Sequence, residues 1–71
     1  MEVKKLNAKM TGKKLRELRG EKTLQEVADD LSISKSALAM YERGERTPRD
    51  EMKAKLSEYY DISIEPLFFA D

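Results

Sequence analysis

Two stretches of apolar residues at helical spacing flank a short polar interval within residues 23–44. Three apolar side chains fall at i, i+1 and i+4 in the first stretch, and two fall at i and i+3 in the second, so each predicts a helix with one buried stripe. These side chains are Val27, Ala28, Leu31, Leu38 and Tyr41. The interval suits a turn of about three or four residues, with Ile33 as an apolar plug. The segment therefore predicts two short helices packed across a tight turn.

Polar residues and a glycine mark the ends of these two helices. Thr23 followed by Glu26 matches a capping box, in which the threonine hydroxyl accepts from the Glu26 amide and the glutamate side chain reaches back. Ser34 is placed to cap a helix over residues 35–43, and Gly44 is placed to end it. We therefore expect helices that start after Thr23 and after Ser34.

One further helix is predicted before this pair. Leu15 and Leu18 lie at i and i+3, with Thr11 as the candidate N-cap and Gly20 as the stop. The preceding residues have few apolar anchors and no firm cap. We therefore expect residues 1–10 to form a basic, partly disordered extension, and residues 11–71 to form the folded domain.

Two helices are predicted after the pair. Asp50 opens an amphipathic helix with apolar residues at i, i+4, i+7 and i+8. These residues are Met52, Leu56, Tyr59 and Tyr60. A short last helix follows, with Ser63 as its cap and Pro66 in its first turn, where the missing N–H costs little. Five helices predict an all-α fold, and a length of 71 residues favours one domain.

The residue inventory narrows the classes of function. The chain has no histidine and no cysteine, which excludes disulfides, thiolate or imidazole metal sites and most nucleophilic or general-base catalysis. We expect no enzyme, no catalytic residue and no metal ion, cofactor or small-molecule ligand. The longest apolar run, residues 66–70, is far too short to span a membrane, so we expect a soluble cytoplasmic protein.

Charge is balanced over the whole chain but segregated along it. Fourteen basic residues match fourteen acidic residues, and a neutral chain is not typical of a nucleic-acid-binding protein. However, residues 1–23 carry a net charge of +5 and residues 43–49 carry +2, whereas residues 24–42 carry −3 and residues 50–71 carry −4. The distribution therefore allows one basic face and one acidic face.

Three segments of the chain resemble a Cro/C1-type helix-turn-helix domain of the XRE family. They are LRELRGEKT, EVADDLSISKSALAMYERGERTPRD and EYYDISIEPLFF, and the resemblance covers residues 11–69. Its most specific parts are Ala28 with its apolar neighbours, the turn that ends in Ile33-Ser34, and the sequence Tyr-Glu-Arg-Gly followed by Pro48. The resemblance implies a five-helix, lambda-repressor-like, all-α domain that binds double-stranded DNA.

The resemblance also implies which residues contact DNA. In this family the third helix enters the major groove, and the start of the second helix and the loop after the third contact phosphates. The implied base contacts are Lys35, Ser36, Ala39 and Met40. The implied phosphate contacts are Gln25, Ser34, Arg43, Arg46, Thr47 and Arg49. The lysine suits guanine, and the alanine or methionine suits a thymine methyl group.

Two positions depart from the family pattern, and one ion pair is expected from it. Leu24 stands where the family commonly has glutamine, so its phosphate contact is lost or moved to Gln25. Ser32 stands where a left-handed turn favours glycine, at a cost of about 1 kcal/mol. Glu42 is expected to pair with Arg16 or Arg19 as part of the scaffold.

The sequence therefore favours a sequence-specific transcriptional regulator, and within that class we expect a small phage or mobile-element repressor that acts as a homodimer. Phe68 and Phe69 cannot both point inward from one helix, so the C-terminal aromatic surface is the expected dimer contact. The alternative is an antitoxin or adaptor, in which the same fold serves as a protein-interaction module. The near-zero net charge favours this alternative somewhat.

Overall fold

The computed structural model describes the backbone of residues 5–70 and the side chains of residues 7–69. Within this part of the chain there are five helices, with one two-residue strand before the first helix and one after the last. The predominance of helix confirms the predicted all-α class. The elements in chain order are β1 (Lys5–Leu6), α1 (Ala8–Arg19), α2 (Leu24–Leu31), α3 (Lys35–Arg43), α4 (Asp50–Tyr60), α5 (Ile64–Phe68) and β2 (Phe69–Ala70).

The first helix begins earlier than the sequence predicted. Asn7, and not Thr11, is the N-cap of α1, and its side chain accepts a hydrogen bond from the Met10 amide at 3.1 Å. Thr11 lies inside the helix, is 2% exposed, and its hydroxyl donates to the Phe68 carbonyl at 3.4 Å. The prediction was wrong because asparagine caps a helix as well as threonine does, and the apolar spacing could not choose between them.

The two short strands join the beginning of the described chain to its end. They pair antiparallel, with Lys5 opposite Ala70 and Leu6 opposite Phe69. The sequence did not predict them, because strands of two residues show no alternation of apolar and polar positions. The predicted extension over residues 1–10 thus includes β1 and the first turn of α1, while residues 1–4 lie outside the described residues.

The helix pair at the centre of the fold follows its local signals. The Thr23 side chain accepts from the Glu26 amide at 3.0 Å, while the Thr23 hydroxyl, not its amide, donates to the Glu26 carboxylate at 3.3 Å. Ser32 ends α2 in the left-handed region at φ 58°, and Ser34 caps α3. Gly44 ends α3 at φ 73°. The predicted bounds of both helices are confirmed.

One buried cluster holds the helices together. Each of the five helices contributes at least one side chain to it, and α4 contributes Leu56. Its members are Leu15, Val27, Ala28, Leu31, Leu38, Tyr41, Leu56, Leu67 and Phe68. Lys55 of α4 adds a polar contact by donating to the Leu31 carbonyl at the end of α2 at 2.8 Å. The cluster fixes α2 and α3 relative to the other helices.

The C-terminal aromatic residues lie in different elements. Phe68 ends α5 and is 1% exposed, whereas Phe69 has extended backbone in β2 and is half-buried against the core. The premise that both rings project from one helix was therefore wrong, and both pack inward. Ser63 occupies the N-cap of α5, as expected, but makes no side-chain capping bond.

Candidate nucleic-acid interface

One face of α3 is turned towards solvent. At about 100° per residue, five of its side chains fall within an arc of about 140°. They are Lys35, Ser36, Ala39, Met40 and Arg43. The two side chains at the start of α3 and Arg43 are exposed, and the two in the middle are half-buried. Leu38 and Tyr41 are buried on the opposite face, so the four predicted base contacts share one accessible surface.

A close helix contact fixes the direction of that surface. A Cβ atom at Gly12 of α1 would overlap the Glu42 carbonyl and lie 2.8 Å from the Tyr41 carbonyl oxygen. One at Gly44 would lie 2.9 Å from the Lys9 Cα, at a backbone φ of 73°. Since neither position has room for a side chain, the backbones of α1 and of the end of α3 touch directly.

A paired arginine and glutamate hold α1 against α3. The Arg19 Nε donates to Glu42 Oε2 at 2.8 Å, and its Nη2 donates to Oε1 at 3.0 Å. The hydrogen bond to Glu42 raises the pKa of the Arg19 guanidinium. The expected scaffold pair is thus confirmed with Arg19 as the partner.

A buried tyrosine hydroxyl lies close to this pair. Tyr60 has a hydroxyl without a hydrogen-bond partner among the described residues. Burial, and then the charge of Glu42, raise its pKa to about 12. Tyr60 is therefore neutral at ordinary pH and adds no charge next to the pair.

The loop after α3 presents the predicted phosphate-binding arginines. Pro48 is buried and anchors this loop, while Arg46, Thr47 and Arg49 are exposed. The Arg46 guanidinium lies 6.0 Å from the centre of the Tyr41 ring. Such cation–π contact holds the side chain near α3 while leaving its N–H groups available. The three predicted side chains of this loop thus lie beside the end of α3.

The other three predicted phosphate contacts already have partners in the protein. Arg43 Nε lies 3.2 Å from Glu45 Oε2, although both side chains are more than half exposed, at 60% and 55%. The Gln25 amide donates to Asp29 at 2.8 Å. The Ser34 oxygen accepts from a backbone amide as the α3 cap and keeps its own hydroxyl proton for donation. The Gln25 amide has a second N–H, which can donate to a phosphate while the first stays on Asp29.

An open groove separates the first turn of α2 from the facing parts of α1 and α3. It has a volume of about 210 Å³. Its lining residues are Arg16, Arg19, Leu24, Ala39, Glu42 and Arg43. Leu24 is half-buried and packs against the core, so it gives this groove an apolar side where the family commonly has glutamine.

Two other kinds of site, a membrane span and a metal centre, are absent from the described residues. No helix there combines the length and the apolar character that a membrane span needs. Likewise, within residues 7–69 no three acidic side chains come together as a group that could hold a metal ion.

Comparison with known proteins agrees with this arrangement of helices. The family described as Helix-turn-helix matches residues 13–67. The chain belongs to the Cro/C1-type helix-turn-helix family. In its terms, α2, the turn at Ser32 and α3 form the motif, and α1, α4 and α5 support it.

This helix-turn-helix protein is similar to a phage repressor and to two DNA-binding domains of known structure. It is 35% identical over 60 residues to the cryptic phage CTXphi transcriptional repressor RstR of Vibrio cholerae. The aligned region covers 82% of this chain and 54% of the repressor. The chain thus spans about half the length of that relative. The crystal structure of the DNA-binding domain of BldD matches with a TM-score of 0.71 and 27% identity, over 87% of this chain and 93% of that one. The S. venezulae BldD DNA-binding domain gives the same score and identity and is covered to 96%.

Sequence reasoning missed parts of this helix-turn-helix site. Gly12 was given no role from the sequence, although a glycine inside an amphipathic helix usually has a packing reason, and that signal was available. Arg16 was considered only as a partner for Glu42 and not as a lining residue of the groove. No local signal indicated it, because the groove forms only when three helices meet.

Proposed function

We propose that this protein is a sequence-specific, DNA-binding transcriptional regulator that inserts α3 into the major groove. The observation that carries the proposal is the exposed face of α3, which follows α2 across a tight turn and is flanked by three arginines. A repressor and two DNA-binding domains among its relatives support it. A small cytoplasmic repressor of the phage type fits these relatives best. It would act by occupying its DNA site and not by catalysis.

Base recognition would come from the start and middle of α3. Lys35 and Ser36 lie at its exposed N-terminal end, which is the part that reaches base edges in helix-turn-helix complexes. Lysine donates to guanine O6 and N7, and serine bonds to several bases. Ala39 and Met40 present apolar atoms to a thymine methyl group. This reading surface is short, so each contact carries much of the sequence preference.

Phosphate contacts would fix the position of α3 without reading sequence. Three exposed side chains lie on the loop after α3, namely Arg46, Thr47 and Arg49, and Arg43 is the last residue of α3. An arginine can donate two parallel hydrogen bonds to a phosphate, which outweighs a solvent-exposed pair such as Arg43–Glu45. Gln25 and Ser34 would add neutral contacts from the two helix starts.

We further propose that two copies act together as a homodimer. A single domain with so few base contacts binds weakly, whereas two linked domains bind half-sites about one helical turn apart with far higher apparent affinity. The expected aromatic contact is reduced to the exposed part of Phe69, because Phe68 is buried. Ile64 is 39% exposed on the same terminal part of the chain and adds apolar surface.

The proposal is tested by measuring affinity for random duplex DNA from about 50 to about 200 mM salt. The logarithm of the affinity should fall steeply with the logarithm of salt, and Arg49→Ala should make the slope shallower by about 1. Lys14→Met removes one positive charge from α1 at a side chain that bonds the Pro66 carbonyl instead, and should leave the slope unchanged. A wild-type protein without detectable, salt-dependent binding contradicts the proposal.

A protein-interaction module is the second candidate, and one apolar surface favours it. Leu18 is 37% exposed and, with Lys14, Glu17 and Ile62, lines a surface depression between α1 and the segment after α4. An antitoxin or adaptor would use such a surface for its partner. This function stands in place of the first one if the protein shows no affinity for duplex DNA.

A further inference from the structure

The groove beside α3 contains an arginine that the proposed interface does not use. Arg16 is exposed and lies one helical turn before Arg19 on α1. Arg19 is bound to Glu42 through two hydrogen bonds. The Arg16 side chain, in contrast, makes no ion pair or hydrogen bond within residues 7–69. Arg16 therefore has all its donors available in the groove.

The other lining residues leave a local excess of positive charge. Leu24 and Ala39 have no polar side-chain atoms, and both oxygens of Glu42 are already occupied by Arg19. Arg43 lines the same groove, so Arg16 and Arg43 both border it with positively charged side chains. Like charges repel unless an anion lies between them. The groove is therefore suited to an anion that accepts hydrogen bonds from both.

The position of the groove indicates where this anion comes from. Ala39 and Arg43 belong both to the groove and to the exposed face of α3. A duplex that receives α3 in its major groove brings the phosphates of one strand along the sides of that helix. The first turn of α2, with Leu24, lines the same place. A DNA backbone phosphate thus fits the groove in charge and in position.

We propose that Arg16 binds a DNA backbone phosphate in this groove and so supplies the contact that Leu24 cannot make. The inference rests on the proposed function and deepens it, because it adds α1 to the elements that touch DNA. Arg43 borders the same phosphate and leaves its pair with Glu45 to do so. The contact positions α3 and does not read sequence.

The test compares Arg16→Ala and Arg16→Gln with Lys14→Met. Both Arg16 variants should bind random and selected duplexes about three- to tenfold more weakly, with a salt slope shallower by about 1. Lys14→Met also removes one positive charge from α1, but its side chain lies about 160° around the helix from Arg16, so its slope should equal that of the wild type. Urea unfolding should show midpoints close to the wild type for both Arg16 variants, because the Arg16 side chain has no partner to lose within residues 7–69, whereas Lys14→Met loses its bond to the Pro66 carbonyl.

Three results would overturn the inference. They are an unchanged slope in the Arg16 variants, an equal loss in Lys14→Met, which indicates a net-charge effect, and an altered base preference, which indicates a base contact. Failure of the proposed function looks different, because the wild-type protein then shows no salt-dependent binding at all. Wild-type binding with unchanged Arg16 variants contradicts only this inference.

Discussion

The Arg19 guanidinium and the Glu42 carboxylate form two parallel hydrogen bonds across the contact between α1 and α3. The Glu42 side chain is only 6% exposed and the Arg19 side chain 17%. Removing one partner therefore leaves a charge in a poorly hydrated place. This distinguishes the pair from Arg43–Glu45, which is open to solvent.

The first prediction concerns this difference in burial. Glu42→Ala should lower the free energy of unfolding by about 3 kcal/mol, because Arg19 is left unpaired. Arg43→Ala breaks the exposed pair and should change the same free energy by about 0.5 kcal/mol or less. Urea denaturation followed by circular dichroism measures both. Equal losses in the two variants would contradict the scaffold role of Glu42.

The helix-turn-helix pair could be predicted from the sequence because its signals are local. Thr23, Ser34 and Gly44 act on backbone groups within about four residues of themselves, and the apolar spacing needs only one helix to be read. Glu42 was paired with the correct helix only through the family resemblance. Choosing Arg19 over Arg16 required the structure, because both lie on the α3-facing side of α1.

The features that sequence reasoning missed depend on contacts between distant parts of the chain. Thr11 bonds to Phe68, which lies 57 residues away, and no spacing rule links them. The β1–β2 pair likewise joins the two ends of the described chain. Within the site, the placement of the predicted base contacts on the face opposite Leu38 and Tyr41 followed from helix periodicity. The partner of Gln25 and the groove at Arg16 did not follow from it.

The second prediction tests the close approach of α1 and α3. Gly12→Ala adds a methyl group where the Tyr41 and Glu42 carbonyls leave no room, so the helices must move apart. Overpacking of this kind should lower the free energy of unfolding by about 2–3 kcal/mol. Lys13→Ala at the adjacent, exposed position should be neutral or slightly stabilising. Thermal unfolding distinguishes them, and a stable Gly12→Ala protein would show that the helices are further apart.

The third prediction compares the same substitution, serine to glycine, at two positions where it should change the free energy of unfolding in opposite directions. Ser32 has a φ of 58°, so Ser32→Gly should relieve left-handed strain and stabilise the protein by about 0.5 kcal/mol after the entropy cost of glycine. Ser36→Gly lies inside α3 and should destabilise it by about 0.5 kcal/mol. We expect the denaturant midpoint of Ser32→Gly to lie above that of the wild type and the midpoint of Ser36→Gly to lie below it. Shifts in the same direction would contradict the turn geometry.

The fourth prediction concerns the buried hydroxyl of Tyr60. Tyr60→Phe removes an unpaired polar group and should stabilise the protein by about 1 kcal/mol. Tyr59→Phe should do the opposite, because the Tyr59 hydroxyl donates to Asp30 at 2.6 Å and accepts from Lys22 at 3.2 Å. Unfolding at pH 7 measures both. A less stable Tyr60→Phe protein would mean that its hydroxyl is bonded.

The pH dependence of the same variant gives an independent check. The pKa of Tyr60 is raised from 10.0 to about 12 in the folded protein. Its neutral form therefore favours folding, and this contribution is complete below pH 10 and is lost as pH rises towards about 12. The stability difference between Tyr60→Phe and the wild type should widen over that range. A constant difference would contradict the raised pKa.

The last prediction separates base reading from phosphate binding within the interface. Lys35→Ala should relax the preference at one position of each half-site and weaken binding to the selected site by about 1–3 kcal/mol, with a smaller loss on random DNA. Thr47→Ala removes a proposed neutral phosphate contact and should weaken binding to both duplexes equally and keep the preference. Selection from a random duplex pool with each variant measures this. An unchanged selected sequence for Lys35→Ala would remove Lys35 from the base contacts and place the sequence reading on Ser36, Ala39 and Met40.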